Sequence, residues 1–119
     1  MSRFNAVKEE FKSSPNVVIY NAGSLTNPPE EDSVLSIPAD GVTGDLIVNT
    51  VTPYAAAQMA VKGWETLPKE MRKTFIFTGN ITNVAIIPMP LMINGGMGKA
   101  ASAYWIGASD AFFKSKGYR

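Results

Sequence analysis

The chain contains no cysteine and no histidine. Their absence excludes disulfides, thiolate nucleophiles and imidazole bases, and it removes the nitrogen and sulfur ligands that zinc usually takes. Structural zinc sites and catalysis of the Cys/His or Ser/His/Asp type are therefore excluded. Any chemistry of this chain has to come from its hydroxyl, amide, amine and carboxyl groups.

The chain also lacks an excess of charge of either sign. It has 11 Lys and Arg residues against 10 Asp and Glu residues, which gives a formal net charge of +1. Such a balance produces no bulk electrostatic field that would attract nucleic acid or an anionic membrane. The sequence holds no local basic patch either, so we expect no nucleic-acid partner.

Long hydrophobic runs are missing as well. No uninterrupted apolar stretch approaches the length of a membrane span, and the segment from Met1 to Asn5 has no apolar core of signal-peptide length. We therefore expect no membrane association and a cytoplasmic location. With 119 residues, of which 45% are hydrophobic, the chain is long enough for one core, and we predict a single domain over 1–119.

The residues that are present predict an alternation of helices and strands. Apolar residues at helical spacing mark the helices, and β-branched or aromatic runs bounded by Pro, Gly and Asn mark the strands. The predicted elements, in chain order, are a helix over 4–11, a strand over 17–20, a helix over 45–67, a strand over 74–78 and a helix over 99–116. Loops rich in Pro, Gly and Met separate them, and Gly117 is predicted to cap the last helix.

The two predicted strands contain no charged residue, which is typical of strands that are buried on both faces of a parallel sheet. Strand, helix and strand then form a βαβ unit, and the fold class is α/β. Two strands are too few to cover these helices well. Either further strands lie in the loops, or a second chain completes the sheet.

Polar turns follow both predicted strands. Asn21-Ala22-Gly23 comes after the first strand, and Thr78-Gly79-Asn80 comes after the second. In open α/β sheets, ligands bind beyond the carboxyl ends of the strands, where Gly admits a close backbone approach and Asn offers a donor and an acceptor. The alternative is that each Gly simply ends its strand and each Asn satisfies a turn.

These turns, together with Asn49 and the sequence Lys99-Ala100-Ala101-Ser102, resemble the central part of the short-chain dehydrogenase/reductase family over most of the chain. The resemblance implies a partial Rossmann-like parallel sheet with flanking helices, and NAD or NADP as cofactor. It implies that Asn21, Ala22, Gly23 and Lys99 bind the cofactor. It also implies that the catalytic positions are Asn49, Asn80 and Lys99, with Asn80 near the place of the family's serine.

The chain departs from the family at the residue that transfers the proton. The family places a tyrosine four residues before the lysine, but this chain has Gly95 there, and glycine cannot donate or accept a proton. Thr78 and Thr82 are neighbouring hydroxyls and offer an alternative to the family's serine in hydrogen bonding. Tyr104 lies more than a helical turn beyond Lys99, and we expect it in the core rather than in the site.

The family's first strand and glycine-rich turn have no counterpart before the predicted helix at 4–11. We therefore expect a truncated or degenerate member of the family with impaired catalysis, a pseudoenzyme. The residues Gly95-Gly96-Met97-Gly98-Lys99 do not form a phosphate-binding P-loop, because the required first Gly and final Ser or Thr are replaced by Ile93 and Ala100. A simple anion site at the start of that helix remains an alternative.

A second functional hypothesis is a non-catalytic interaction protein. In the resembled family, the helices that correspond to 45–67 and 99–116 pack against their copies in dimers, so we expect a homo-oligomer or a partner chain at these helices. The residues expected to face the partner are Met59, Trp64, Tyr104, Trp105 and Phe112. The alternative is that they are ordinary core residues.

Overall fold

The computed structural model describes residues 2–119. The main elements are α1 (Arg3–Phe11), β1 (Val17–Tyr20), α2 (Ala39–Leu46), a π-helix (Ile47–Val51), α3 (Thr52–Trp64), β2 (Thr74–Phe77) and α4 (Ile93–Phe112). Short 3₁₀ helices cover Ile81–Asn83, Pro90–Met92 and Lys114–Lys116. The order of helices and strands agrees with the prediction.

The boundaries of the two long helices differ from the prediction. The first begins at Ala39, directly after Pro38, and it continues through the π-helix into α3, which ends at Trp64 rather than at 67. The last begins at Ile93, six residues before Lys99, and ends at Phe112. Gly117 has a φ of 69° and caps the final 3₁₀ turn instead of α4, a backbone conformation that glycine adopts at little cost.

β1 and β2 pair in parallel, with Val17 opposite Thr74 and Tyr20 opposite Phe77. The other edge of β2 is paired at its start by the end of the chain, because Phe75 N donates to Arg119 O at 2.7 Å and Arg119 N donates to Lys73 O at 3.1 Å. This single bridge comes from the end of the chain and not from the loops in which the sequence analysis allowed for further strands.

The prediction that both strands are buried on both faces is wrong within residues 2–119. Ile19 and Ile76 lie opposite each other in the register, and both are exposed. The other face carries the core, in which Trp64 contacts Tyr118 edge-on at a ring distance of 5.2 Å and donates from Nε1 to Pro15 O at 3.0 Å. In the part of the chain that is described, the hydrophobic core therefore lies on one side of the sheet.

Tyr104 is 81% exposed and Phe112 is 79% exposed, so the prediction that Tyr104 belongs to the core is wrong. The physical reason is the rotation of α4, which turns Gly98 and Ser102 inward and leaves Tyr104 on the outer side. Trp64, in contrast, is a buried core residue. Across residues 2–119, no helix combines the length and the apolar character needed to cross a membrane.

Candidate functional site

The parallel register brings the carboxyl ends of β1 and β2 side by side. Thr78 N donates to Tyr20 O at 3.0 Å, which continues the ladder one step beyond the strands. The turn Asn21-Ala22-Gly23 therefore begins next to Thr78, as the predicted sheet requires. All three residues of this turn are exposed, so their backbone groups are accessible to a ligand.

Lys99 places its ammonium group at this junction. Its Nζ donates to Thr78 O and lies 4.5 Å from the centre of the Phe77 ring. Burial lowers the pKa of the Lys99 ammonium below its ordinary value. An ammonium has three N–H donors, and with one directed at Thr78 O the others remain for hydroxyl or carbonyl oxygens.

Asn49 is buried, and its side-chain amide is bonded at both ends to Ser24. Nδ2 donates to Ser24 O at 2.7 Å, and Oδ1 accepts from Ser24 N at 3.1 Å. Gly23 lies close by, since a Cβ on it would be 3.7 Å from Asn49 Oδ1. Asn49 therefore fixes the backbone just after the exposed turn, and its amide is already satisfied by that backbone.

Pro53 explains why the backbone around Asn49 makes contacts outside its own helix. Proline has no N–H, so the carbonyls of Val48 and Asn49, five and four residues earlier, lose a donor that a helix or π-helix normally provides. Tyr20 OH donates to Val48 O at 2.6 Å, and Ser102 Oγ donates to Asn49 O at 2.7 Å. A strand and a helix are thereby joined to the π-helix.

Asp45 and Asn94 form a buried polar pair next to these residues, which the sequence reasoning missed. Asp45 accepts from Ser24 Oγ at 2.6 Å, from Thr26 N at 2.7 Å and from Asn94 Nδ2 at 2.9 Å. Burial raises the pKa of the Asp45 carboxyl, but the hydrogen bonds from Ser24, Asn94 and Thr26 outweigh it, so the pKa lies below its ordinary value. The signal in the sequence is weak, because α2 also contains Asp40 and no local pattern marks Asp45 as the buried carboxylate.

Asn80 caps the short 3₁₀ helix that follows β2. Its Oδ1 accepts from Thr82 N at 2.9 Å and from Thr82 Oγ1. Thr82 is buried and is bonded to Asn80, so its hydroxyl is directed at a neighbour. Asn80 itself is exposed at the end of the second strand.

Gly95 lies on the first turn of α4, and a Cβ on it would be 3.6 Å from Leu25 Cδ1. That distance is an ordinary van der Waals contact, so the structure accepts a Cβ at this position. The chain provides no acid or base at this point. The site therefore offers hydrogen-bond donors from Lys99 and from the exposed turn, and no proton donor at position 95.

The hydrogen-bond donors of this site suit the ribose part of a dinucleotide but not its pyrophosphate. The accessible backbone of the turn at 21–23 and the remaining Lys99 N–H groups suit the ribose hydroxyls of a bound nucleotide. Within residues 2–119, no glycine-rich turn joins a strand to a helix in the manner that holds a pyrophosphate. No cluster of three or more potential metal-binding side chains is present in that range.

The chain has relatives among known proteins. It is 31% identical over 128 residues to the short chain dehydrogenase/reductase dmxR12 of Cryptosporiopsis sp. (strain 8999). The alignment covers 98% of this chain and 50% of that protein. No family model matches it. The chain thus spans about half the length of the curated relative that it matches.

Solved structures are similar over the same range. A 4-hydroxyisoleucine dehydrogenase complexed with NADH and succinate gives a TM-score of 0.78 at 20% identity, covering 98% of this chain and 50% of that one. A 3-oxoacyl-[acyl-carrier protein] reductase from Brucella melitensis gives 0.80 at 15% identity, covering 97% and 45%. These likenesses confirm the predicted fold class, a partial Rossmann-like α/β arrangement with a parallel sheet.

Proposed function

Since the chain belongs to the short-chain dehydrogenase/reductase family and spans about half of its relatives' length, we propose that it forms part of an NAD(P)-binding cleft with impaired catalysis. In this proposal Asn21, Ala22, Gly23 and Lys99 contact NAD or NADP. Asn49 holds the turn in place. The protein is an oxidoreductase-family member, as a fragment or as a degenerate form.

The observation that carries the proposal is the position of Lys99 Nζ at the junction of the two strand ends. Thr78 N donates to Tyr20 O, so the turn at 21–23 begins beside the residue whose carbonyl Lys99 binds. A cation held beside accessible backbone amides is suited to the hydroxyls of a ribose. Further support comes from the related fold of a dehydrogenase solved with NADH.

Impaired catalysis follows from Gly95. When bound, NAD(P) supplies or accepts a hydride, and the reaction of an alcohol or ketone also needs a group that moves a proton to or from the substrate oxygen. Glycine has no such group. Lys99 can bind and orient, but its charge has no tyrosine at position 95 whose pKa it would lower.

Titration of the full chain with NADH and with NADPH tests the proposal. We expect saturable binding at up to millimolar cofactor, followed by the change in nucleotide fluorescence. Lys99→Met should weaken binding by about 10- to 100-fold, since a hydrogen bond to a charged group contributes roughly 1.5–3 kcal/mol. Lys114→Met removes the same charge from an exposed position on the 3₁₀ turn after α4 and should leave the affinity within about twofold.

Absence of binding at millimolar cofactor would reject the proposal for this chain. Equal losses in the two variants would reject the role of Lys99, because a general effect of net charge would then explain both. Catalytic turnover of an alcohol or ketone at the rate of ordinary family enzymes would contradict the impaired chemistry.

A second candidate function is an interaction or oligomerisation protein that uses the predicted segments 45–67 and 99–116. Tyr104 and Phe112 are exposed on α4, and Val51 and Tyr54 are exposed where the π-helix joins α3. An apolar groove of about 880 Å³ beside these helices is lined in part by Trp105. Exposed aromatic side chains of this kind favour association with a second apolar surface.

Sedimentation velocity tests this second candidate. A homo-oligomer should dissociate when Tyr104 and Phe112 are both replaced by Ser, whereas a compact monomer of the unaltered chain at micromolar concentration would count against it. A cytoplasmic location is part of the proposal as well, and cell fractionation with a tagged full-length gene product tests it.

A further inference from the structure

A buried polar cluster lies beneath the exposed turn and takes no direct part in the proposed binding. Asp45 is 2% exposed and Asn94 is 0% exposed. Burying a carboxylate or an amide destabilises the fold unless the group is hydrogen-bonded, so the hydrogen bonds of this pair indicate what it does. Asp45 and Asn94 come from α2 and from the first turn of α4, and they are 49 residues apart in the sequence.

The carboxylate of Asp45 joins three parts of the chain. One oxygen accepts from Ser24 Oγ, and the other accepts from Thr26 N and from Asn94 Nδ2. Ser24 and Thr26 belong to the segment that directly continues the turn at 21–23. The same carboxylate therefore contacts the segment after β1 and the helix that carries Lys99.

The orientation of the Asn94 amide depends on Asp45. Its Nδ2 donates to the carboxylate, while its Oδ1 is buried and finds no hydrogen-bond partner within residues 2–119. Turning the amide by half a rotation would place Oδ1 against the carboxylate oxygen, which is repulsive. The hydrogen bond to Asp45 is thus the interaction that selects the observed orientation, and it holds the first turn of α4 against α2.

From these contacts we infer that Asp45 is a positioning residue for the cofactor cleft. Its carboxylate holds the segment after β1 and the start of α4 in a fixed relation, so that the turn at 21–23 and Lys99 Nζ face the same ligand. The inference rests on the proposed function, since it concerns the affinity of the same site. Asp45 does not contact the ligand itself in this account, because it is buried.

The test compares Asp45→Asn with a matched control in the full chain. The amide can keep its Oδ1 on Thr26 N and Asn94 Nδ2 only by directing its own Nδ2 at Ser24 Oγ, and it lacks the negative charge that strengthens all three hydrogen bonds. The control is Lys73→Met, which removes an equally buried polar group whose Nζ donates to Pro68 O and Met71 O. Lys73 lies at the amino end of β2, opposite to the strand ends that form the site.

Two readouts separate positioning from a general loss of stability. The first is the affinity for NADH, which should fall by about tenfold or more in Asp45→Asn and by less than about twofold in Lys73→Met. The second is hydrogen exchange followed by mass spectrometry. At matched global stability, exchange of amides in 21–26 should become about tenfold faster in Asp45→Asn, while it stays unchanged in Lys73→Met.

Each outcome decides something. Equal changes of exchange in 21–26 for both variants would overturn the inference, because Asp45 would then act only through overall stability. If the unaltered chain binds no NADH, the proposed function fails, but the exchange comparison still tests whether Asp45 holds the segment. If Asp45→Asn does not fold, Ser24→Ala removes one bond to the same carboxylate and should give faster exchange and weaker binding in the same direction.

Discussion

Replacing Gly98 by Ala is expected to separate α4 from the π-helix. Gly98 is buried where the two cross, and a Cβ on it would lie closer than 3.0 Å to Asn49 Cβ and at 3.4 Å from Asn49 Cγ. Asn49 Cβ is bonded directly to the backbone of the π-helix, so no rotation of the Asn49 side chain can relieve this contact. The helix must move instead, and that weakens the hydrogen bond from Ser102 Oγ to Asn49 O.

The size of the effect follows from opposing contributions. Alanine in a helix interior is favoured over glycine by about 0.5–1 kcal/mol. Overpacking a well-packed contact costs about 1–3 kcal/mol, and a weakened hydrogen bond costs about 1 kcal/mol more. The net expectation is a loss of about 2 kcal/mol in the free energy of unfolding.

Gly107→Ala is the matched control, because it is the same substitution in the same helix and no atom lies within 4 Å of the new Cβ. It should stabilise the chain by about 0.5–1 kcal/mol. Urea unfolding followed by the fluorescence of Trp64 and Trp105 measures both variants. If the midpoints of both variants shift in the same direction, the close approach at Gly98 does not limit the packing of α4, and the reasoning is refuted.

Three further predictions concern single side chains. The pKa of the Asp45 carboxyl lies below its ordinary value of about 4, so its hydrogen bonds stabilise the fold fully above that pH. This stabilisation is lost as the pH falls through the folded-state pKa. When urea midpoints are measured from about pH 7 down to about pH 3, they should therefore fall less steeply in Asp45→Asn than in the unaltered chain. Tyr20→Phe leaves Val48 O without its donor and should cost about 1–2 kcal/mol in thermal unfolding, and an unchanged melting temperature would contradict this. A Cβ at position 95 makes only an ordinary contact with Leu25, and Gly95→Tyr should raise ketone reduction with NADPH above that of the unaltered chain. Equal rates in a folded variant, as judged by circular dichroism, would speak against position 95 as the missing proton donor.

The two strands and the place of Lys99 could be predicted from the sequence. Val17–Tyr20 and Thr74–Phe77 are short β-branched or aromatic runs with clear turn residues after them, and a parallel pair brings such turns together. The place of Lys99 followed from the spacing of the resembled family. Both features depend on local pattern or on order along the chain.

Other features depend on contacts that no local pattern contains. Gly95, Gly96 and Gly98 suggested a loop, since glycine disfavours helices, but they lie inside α4, where Gly98 allows the approach to Asn49. The pairing of Asp45 with Asn94 joins distant residues and leaves no periodic trace. The distance of Tyr104 from Lys99, more than a helical turn, predicts a place in the core, and only the rotation of α4 reveals which side faces inward.

The proline at position 53 has a consequence for redesign. Restoring an N–H there, as in Pro53→Ala, would improve the helix considered alone, because that N–H would donate to the carbonyl of Val48 or of Asn49. Tyr20 and Ser102 would then compete with that donor for the same oxygens. An apparently beneficial local repair would thereby loosen the attachment of a strand and a helix to this segment, so a side chain with no functional group governs how three distant parts of the chain are joined.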